Sequence, residues 1–200
     1  MGGFVLLVGP SGAGKDTLLR LVRERLGGDP RFLFPRRLIT RPCDRWEDHD
    51  PIDWTAFERG ETEGTFALSW RAHGLGYALP GSALAQVRAG GIATCNVSRA
   101  KVEEACLRLP VAAVVEVTAS PEVLAARIAA RGREAGFAAR QRALRAAELS
   151  CRADVVIRNE GSAAEAAARL VALLEGLAQR APSEAPVTSR AASRSATASG

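Results

Sequence analysis

The amino-acid sequence predicts an α/β fold in which helices cover both faces of a mostly parallel sheet. Two observations support this prediction. Short apolar runs of strand length alternate along most of the chain with longer segments of helical spacing, a pattern typical of parallel strands joined by crossover helices. The first apolar run is also followed directly by a glycine-rich loop and then by a helical segment.

The first strand is predicted at Phe4 to Val8, and the first helix runs from Asp16 to Leu26, where Gly27-Gly28 end it. The loop between them, Gly9-Pro10-Ser11-Gly12-Ala13-Gly14-Lys15, matches the pattern G-x-x-x-x-G-K. Backbone N–H groups of such a loop cradle phosphates, and the following helix presents its positive end. This context predicts a P-loop NTPase fold that binds nucleotide phosphates.

The residue after the loop lysine departs from the usual pattern. A Ser or Thr that ligates magnesium is expected there, whereas this chain has Asp16 followed by Thr17. A carboxylate can coordinate Mg²⁺ directly or through water, but an acidic residue is also favoured at the start of a helix. The sequence leaves both roles open for Asp16.

The segment 37–79 is predicted to be a small insertion that holds the phosphoryl acceptor, because it contains short strands and turns. Its predicted elements are a strand from Arg37 to Thr40, a helix capped by Asp53 and running through Arg59, and strands at Thr65 to Ala72 and Tyr77 to Leu79 around the turn Gly74-Leu75-Gly76. Polar side chains that suit an acceptor with phosphates and hydroxyls lie in it: Arg41, Glu47, His49 and Tyr77.

After the insertion the alternation of strands and helices resumes. Helices are predicted from Pro80 to Ala89, Arg99 to Leu107, Pro121 to about Arg131 (capped by Ser120) and Ser162 to about Leu177, and strands at Ile92 to Val97, Val111 to Val117 and Asp154 to Ile157. Residues 1–180 are thus predicted to form one domain. From Ala181 onward no apolar periodicity remains, so 181–200 is predicted to be a disordered tail.

Arginines cluster near 127–145, where a second arginine-rich helix to Leu149 is predicted. Phosphoryl transfer needs fixed positive charge around the transferred group, and Gly132 supplies a hinge between two helices. The cluster therefore predicts a closing lid, although two solvated amphipathic helices would also explain it. The residues concerned are Arg127, Arg131, Arg133, Arg142 and Arg145.

Composition argues against other classes of protein. The net charge is +5, but no stretch interleaves the arginines with aromatic residues as single-strand nucleic-acid binders do. The four cysteines and two histidines fit no metal-site spacing, and no apolar run approaches the length of a membrane span. We expect a soluble cytoplasmic protein with reduced thiols, no nucleic-acid partner and no membrane partner.

Taken in order, these motifs resemble the guanylate kinase superfamily over about residues 3–178. The resemblance rests on the glycine loop, Thr40-Arg41-Pro42, Arg127 with Arg131-Gly132, and Asn159 after the last strand. Within the superfamily, the chain is most similar to the ribose 1,5-bisphosphate phosphokinase family. The motifs that carry this closer similarity are Gly14-Lys15-Asp16, Ile39-Thr40-Arg41, Glu47 with His49, Leu68-Ser69-Trp70, Asn96-x-Ser98-Arg99-Ala100 and Arg131-Gly132-Arg133-Glu134.

The resemblance implies ATP-dependent, Mg²⁺-assisted phosphorylation of ribose 1,5-bisphosphate to 5-phospho-α-D-ribose 1-diphosphate (PRPP), in phosphonate catabolism. The implied catalytic residues are Lys15, Arg131, Arg133 and Arg142, with Asp16 on the metal. The implied ATP-binding residues are Gly9, Pro10, Ser11, Gly12, Ala13, Gly14, Lys15, Asp16, Thr17, Arg127 and Asn159. The implied acceptor-binding residues are Arg41, Glu47, His49, Ser69, Tyr77, Asn96 and Arg142.

Three departures disfavour the alternative, a nucleoside monophosphate (guanylate) kinase. Guanylate kinases have a guanine-binding carboxylate where this chain has Ser69, a second phosphate-binding arginine where it has Asp44, and an acidic residue where it has Asn96. A site without that carboxylate should discriminate poorly for guanine. Guanylate-kinase-like protein-binding modules lose the intact phosphate loop, so Lys15 and Arg131 argue for an enzyme.

Overall fold

Two sheets and the helices around them make up the part of the chain that the computed structural model describes, residues 2–43, 48–130 and 152–180. The strands are β1 (Gly3–Val8), β2 (Phe32–Leu33), β3 (Arg37–Ile39), β4 (His49–Pro51), β5 (Phe66–Ala72), β6 (Leu75–Pro80), β7 (Ile92–Asn96), β8 (Val111–Thr118) and β9 (Val155–Arg158). The helices are α1 (Lys15–Leu26), α2 (Trp54–Glu63), α3 (Gly81–Arg88), α4 (Val102–Arg108), α5 (Pro121–Ala130) and α6 (Ala163–Arg180), with a 3₁₀ turn at Arg99–Lys101 before α4.

The main sheet has five parallel strands in the order β2-β7-β1-β8-β9. The central strand β1 pairs with β7 on one side and with β8 on the other. Because all five strands run the same way, the residues that follow them meet at one edge of the sheet, which is where α/β proteins bind ligands. The predicted α/β fold with a parallel sheet is confirmed.

Side chains of β1 alternate between two apolar cores. Val5 and Leu7 pack with residues of α1, α5 and α6 on one face, whereas Phe4, Leu6 and Val8 pack with α3, α4 and the second sheet on the other. All five side chains are fully buried, and each such burial contributes roughly 1.5–3 kcal/mol. Helices therefore cover both faces of the main sheet, as the alternation of strands and helices predicted.

The second sheet, which we call the insertion sheet, has the order β4-β3-β6-β5. Strands β3 and β4 are parallel, while β6 is antiparallel to both β3 and β5. The β5–β6 hairpin turns at His73-Gly74, where both residues have positive φ (53° and 72°), as tight two-residue turns require. The turn predicted at Gly74 to Gly76 was therefore placed too late, and β6 begins at Leu75.

Helix α2 begins as predicted, because Asp53 Oδ1 accepts a hydrogen bond of 2.7 Å from the Ala56 backbone N–H. It continues beyond the predicted end at Arg59 to Glu63 and stops at Gly64, whose φ is +67°. Gly60 lies inside this helix. The Phe66 ring packs directly on it, since a Cβ at residue 60 would lie only 2.4 Å from that ring. Tertiary packing thus overrides the tendency of glycine to end a helix.

Strands β2 and β4 were not predicted, because β2 has only two residues and β4 contains Asp50 and Pro51, which are depleted in strands. In the described ranges, no helix is both long and apolar enough to cross a membrane. Cys43, Cys95 and Cys106 are free thiols. The predicted second arginine-rich helix and the tail 181–200 lie outside the described residues.

Candidate active site

The glycine loop joins β1 to α1 at the carboxyl edge of the main sheet. Gly9, Gly12 and Gly14 have positive φ values of 137°, 83° and 91°, which side chains other than glycine rarely adopt. A Cβ on Gly9 would stand only 2.0 Å from the Val117 carbonyl oxygen. The loop backbone therefore packs directly against the end of β8, and only glycine fits at position 9.

Lys15 is the first residue of α1 and folds back over the loop. Its Nζ donates hydrogen bonds of 2.9 Å to the carbonyl oxygens of Gly9 and Pro10. The ammonium group is thus held against the loop backbone, next to the start of the helix. Its positive charge and the N-terminal end of α1 act together to attract an anion there.

Asp16 links the phosphate loop to two other parts of the fold. Its Oδ1 accepts a hydrogen bond of 2.6 Å from Asn96 Nδ2, at the end of β7. The same oxygen lies 3.6 Å from Nη2 of Arg37, the first residue of β3 in the insertion sheet. Asn96 is buried, and its Oδ1 has no hydrogen-bond partner among the described residues. The sequence analysis singled out Asp16 and Asn96, but it missed Arg37.

Asn159 contacts the backbone of the phosphate loop through its side-chain amide. It follows β9, is only 2% exposed, and donates a hydrogen bond of 2.8 Å from Nδ2 to the Ala13 carbonyl oxygen. Gly14 packs directly on the same amide, since a Cβ there would lie 2.5 Å from Asn159 Nδ2. The structure therefore places Asn159 against the loop backbone, with one amide N–H bonded to Ala13 and with its Oδ1 without a hydrogen-bond partner in the described ranges.

Arg41 follows β3 in the insertion sheet, and its carbonyl oxygen lies 3.3 Å from His49 Nε2. His49 is fully buried in β4, and its imidazole contacts the backbone carbonyl of Arg41. Tyr77 on β6 stacks on Trp70 with ring centroids 5.4 Å apart and nearly parallel planes. His49 and Trp70 thus hold two of the predicted acceptor residues, Arg41 and Tyr77, in place.

Ser69 lies on β5 and donates a hydrogen bond of 3.0 Å to Glu61 Oε1 on α2. The other oxygen of Glu61 pairs with Arg71 Nη2 at 2.7 Å. A carboxylate therefore stands beside Ser69 even though the residue itself is a hydroxyl. Both carboxylate oxygens of Glu61 accept hydrogen bonds from side chains on β5, one from Ser69 and one from Arg71. Neither Glu61 nor its contact with Ser69 was foreseen from the sequence.

The remaining predicted residues are distributed as follows. Arg127 lies in the last turn of α5, where its Nη1 is buried and has no hydrogen-bond partner in the described ranges. Ser11 is exposed at the loop surface, and Thr17 is half-buried in the first turn of α1. Four predicted site residues lie outside the described residues: Glu47, Arg131, Arg133 and Arg142.

The described part of the chain holds no group of three or more His, Cys, Asp or Glu side chains that could bind a metal. Asp16 and Asn96 instead place a carboxylate and an amide oxygen beside the phosphate loop.

Cys95 lies on β7, next to Asn96. Burial raises the pKa of the Cys95 thiol to about 12, while the nearby charge of Arg37 acts to lower it.

The parallel sheet, the phosphate loop and the insertion sheet define a P-loop NTPase fold of guanylate kinase-like architecture. The guanylate kinase of Anaplasma phagocytophilum has a similar fold, with a TM-score of 0.66 over 88% of this chain and 86% of that protein, at 20% sequence identity. No protein-family model matches the chain.

Sequence relatives are much closer. The ribose 1,5-bisphosphate phosphokinase PhnN of Methylobacterium radiotolerans is 57% identical over 175 residues, which cover 86% of this chain and 97% of that protein. The protein of the same name from Acidiphilium cryptum is 49% identical over 173 residues, covering 86% and 92%. The chain belongs to the ribose 1,5-bisphosphate phosphokinase PhnN family.

Proposed function

We propose that this chain transfers the γ-phosphoryl group of ATP to ribose 1,5-bisphosphate, giving PRPP and ADP. An oxygen of the acceptor's 1-phosphate attacks the γ-phosphorus, and the bond between that phosphorus and the oxygen bridging it to the β-phosphate breaks. The observation that carries the proposal is the phosphate loop with Lys15 and Asp16, which faces the insertion sheet through Arg37. The names of the relatives supply the acceptor.

The chain's own residues bind and orient the two substrates. The loop from Gly9 to Gly14 and the ammonium group of Lys15 hold the phosphates of ATP, because N–H dipoles and a fixed charge stabilise the developing negative charge. Arg41 and Tyr77 face the acceptor phosphate from the insertion sheet. From their sequence positions, Arg131, Arg133 and Arg142 are proposed to supply further positive charge to the transferred group.

The residues beside the loop fit a magnesium ion. Mg²⁺ prefers oxygen ligands, and Asp16 supplies a carboxylate while the buried Asn96 Oδ1 has no other partner among the described residues. We propose that Asp16 holds the ion, directly or through water, with Asn96 orienting the carboxylate. Bound there, the ion would neutralise charge on the β- and γ-phosphates.

The insertion sheet supports a sugar bisphosphate over a guanine nucleotide. Guanine recognition needs an acceptor group for the N–H groups of the base, and Ser69 offers one hydroxyl in place of a carboxylate. Glu61 beside it is bonded by both Ser69 and Arg71. An unpaired buried donor costs about 1–3 kcal/mol, or roughly ten- to a hundredfold in selectivity. Guanosine monophosphate should therefore be a poor acceptor.

The experiment is a phosphotransfer assay with purified protein, ATP and Mg²⁺. Ribose 1,5-bisphosphate is compared with guanosine, adenosine and uridine monophosphates, and PRPP is detected by a coupled phosphoribosyl transfer. We expect PRPP from the bisphosphate and little product from the nucleotides. Efficient phosphorylation of guanosine monophosphate without PRPP formation would restore the guanylate kinase alternative.

The chain offers a matched control for the donor site, because Lys15 and Lys101 are its only lysines. Lys15→Met should lower turnover by about a hundredfold or more, since a charge at the transferred phosphate is lost. Lys101 forms a surface ion pair with Glu104, so Lys101→Met should stay within about twofold of the wild type. Near-normal turnover of Lys15→Met would contradict the assignment of the phosphate loop.

A further inference from the structure

Arg37 lies between the two sheets. It is the first residue of β3, yet its guanidinium reaches Asp16 at the start of α1, with 3.6 Å between Nη2 and Oδ1. Only 12% of its side chain is exposed. The positive charge of Arg37 is therefore held at the junction between the phosphate loop and the insertion sheet.

The strand register shows which face of the insertion sheet carries Arg37. Residues two apart on a strand point to the same face, so Arg37 shares a face with Ile39. Ile39 is paired with Tyr77 on the neighbouring strand β6, and Tyr77 packs against the apolar core below the main sheet. Arg37 and Tyr77 thus lie on the face that is turned towards the main sheet.

Two other arginines, Arg36 just before β3 and Arg71 on β5, are placed differently. The side chains of Arg36 and Arg71 are 43% and 54% exposed, and each pairs with surface carboxylates. Exposed pairs of this kind contribute little to stability. Arg37 instead has its charge between the phosphate loop and the insertion sheet, with only 12% of its side chain exposed, so a solvated surface role does not account for it.

We propose that Arg37 binds a phosphate group of the acceptor. This inference rests on the proposed function. Each phosphate carries about −1.5 to −2 charges near neutral pH, and the planar arginine fork matches phosphate oxygens better than a lysine does. Both acceptor phosphates share this chemistry, so the experiment has one arm for each.

The test measures binding by calorimetry for the wild type, Arg37→Met and Arg37→Lys. Arg20→Met is the matched control, because Arg20 is an exposed residue of α1 whose loss removes the same charge. For Arg37→Met we expect affinity for ribose 1,5-bisphosphate to fall roughly ten- to a hundredfold, as for a lost charged hydrogen bond. Arg37→Lys should recover part of the loss. Affinity for ATP, and all affinities of Arg20→Met, should stay within about twofold.

Competition by ribose 1-phosphate and by ribose 5-phosphate then identifies which phosphate Arg37 binds. Only the competitor that carries that phosphate should bind more weakly to Arg37→Met than to the wild type. Unchanged affinity of Arg37→Met for the bisphosphate would overturn the inference. So would a lower kcat and altered Mg²⁺ dependence at unchanged acceptor affinity, since Arg37 would then act only through Asp16. A wild-type chain that does not bind the bisphosphate would instead overturn the proposed function and this inference together.

Discussion

Replacing Asn159 by alanine tests whether the phosphate loop depends on a support from β9. The amide donates a hydrogen bond of 2.8 Å to the Ala13 carbonyl oxygen, and Ala13 is fully buried. Its loss leaves a buried carbonyl group without this partner, which costs about 1–3 kcal/mol. For a chain of this size, 1 kcal/mol lowers Tm by about 2–4 °C, so we expect a decrease of roughly 2–12 °C.

The assay is thermal unfolding of Asn159→Ala, followed by circular dichroism with and without Mg·ATP. Affinity for ATP should also fall, because the loop backbone that presents its N–H groups is no longer held against β9. Glu160→Ala is the matched control, since Glu160 is the next residue and is exposed. The reasoning is refuted if Asn159→Ala unfolds within about 1 °C of the control and binds ATP equally well, because the hydrogen bond would then contribute nothing measurable.

Two further predictions follow from burial and from composition. Cys95 should resist alkylation in the native protein at mildly alkaline pH, because burial raises its thiol pKa to about 12 and the thiolate is the reactive form. Cys43 and Cys106 are exposed and should be alkylated. Mass spectrometry that finds all three cysteines alkylated equally would contradict this prediction. Removing residues 181–200, which we propose to be a disordered tail, should leave Tm and turnover nearly unchanged, because the segment has too little apolar surface to order itself; a large decrease in Tm would show that it docks on the domain.

Local chemistry made much of the fold predictable from the sequence. The buried strand β1, the glycine loop and α1 were placed within one or two residues, because glycines at positive φ and a helix start leave a short, specific pattern. Elements without such a pattern were missed or misplaced. The strands β2 and β4 are two and three residues long, and the turn at His73-Gly74 depends on a histidine adopting positive φ.

The candidate site shows the same division. Lys15, Asp16 and Asn96 were identified as site residues from their motifs, but which of them touch was not. Their contacts join distant parts of the chain: Asn96 and Asp16 are 80 residues apart, and Asn159 and Ala13 are 146 residues apart. Arg37 was missed, because an arginine in a three-residue strand has no motif of its own.

The sequence by itself determined the phosphate loop, the strand–helix order and the resemblance to a kinase family, since each depends on residues close together in the chain. Tertiary structure decided what lies around the loop. Pairing of β7 with β1, and of β9 with β8, brought Asn96 and Asn159 to the loop, and the insertion sheet brought Arg37 to Asp16. Such contacts depend on strand order and register, which propensity and spacing do not specify, because they arise only when separate segments bury their apolar faces against one another.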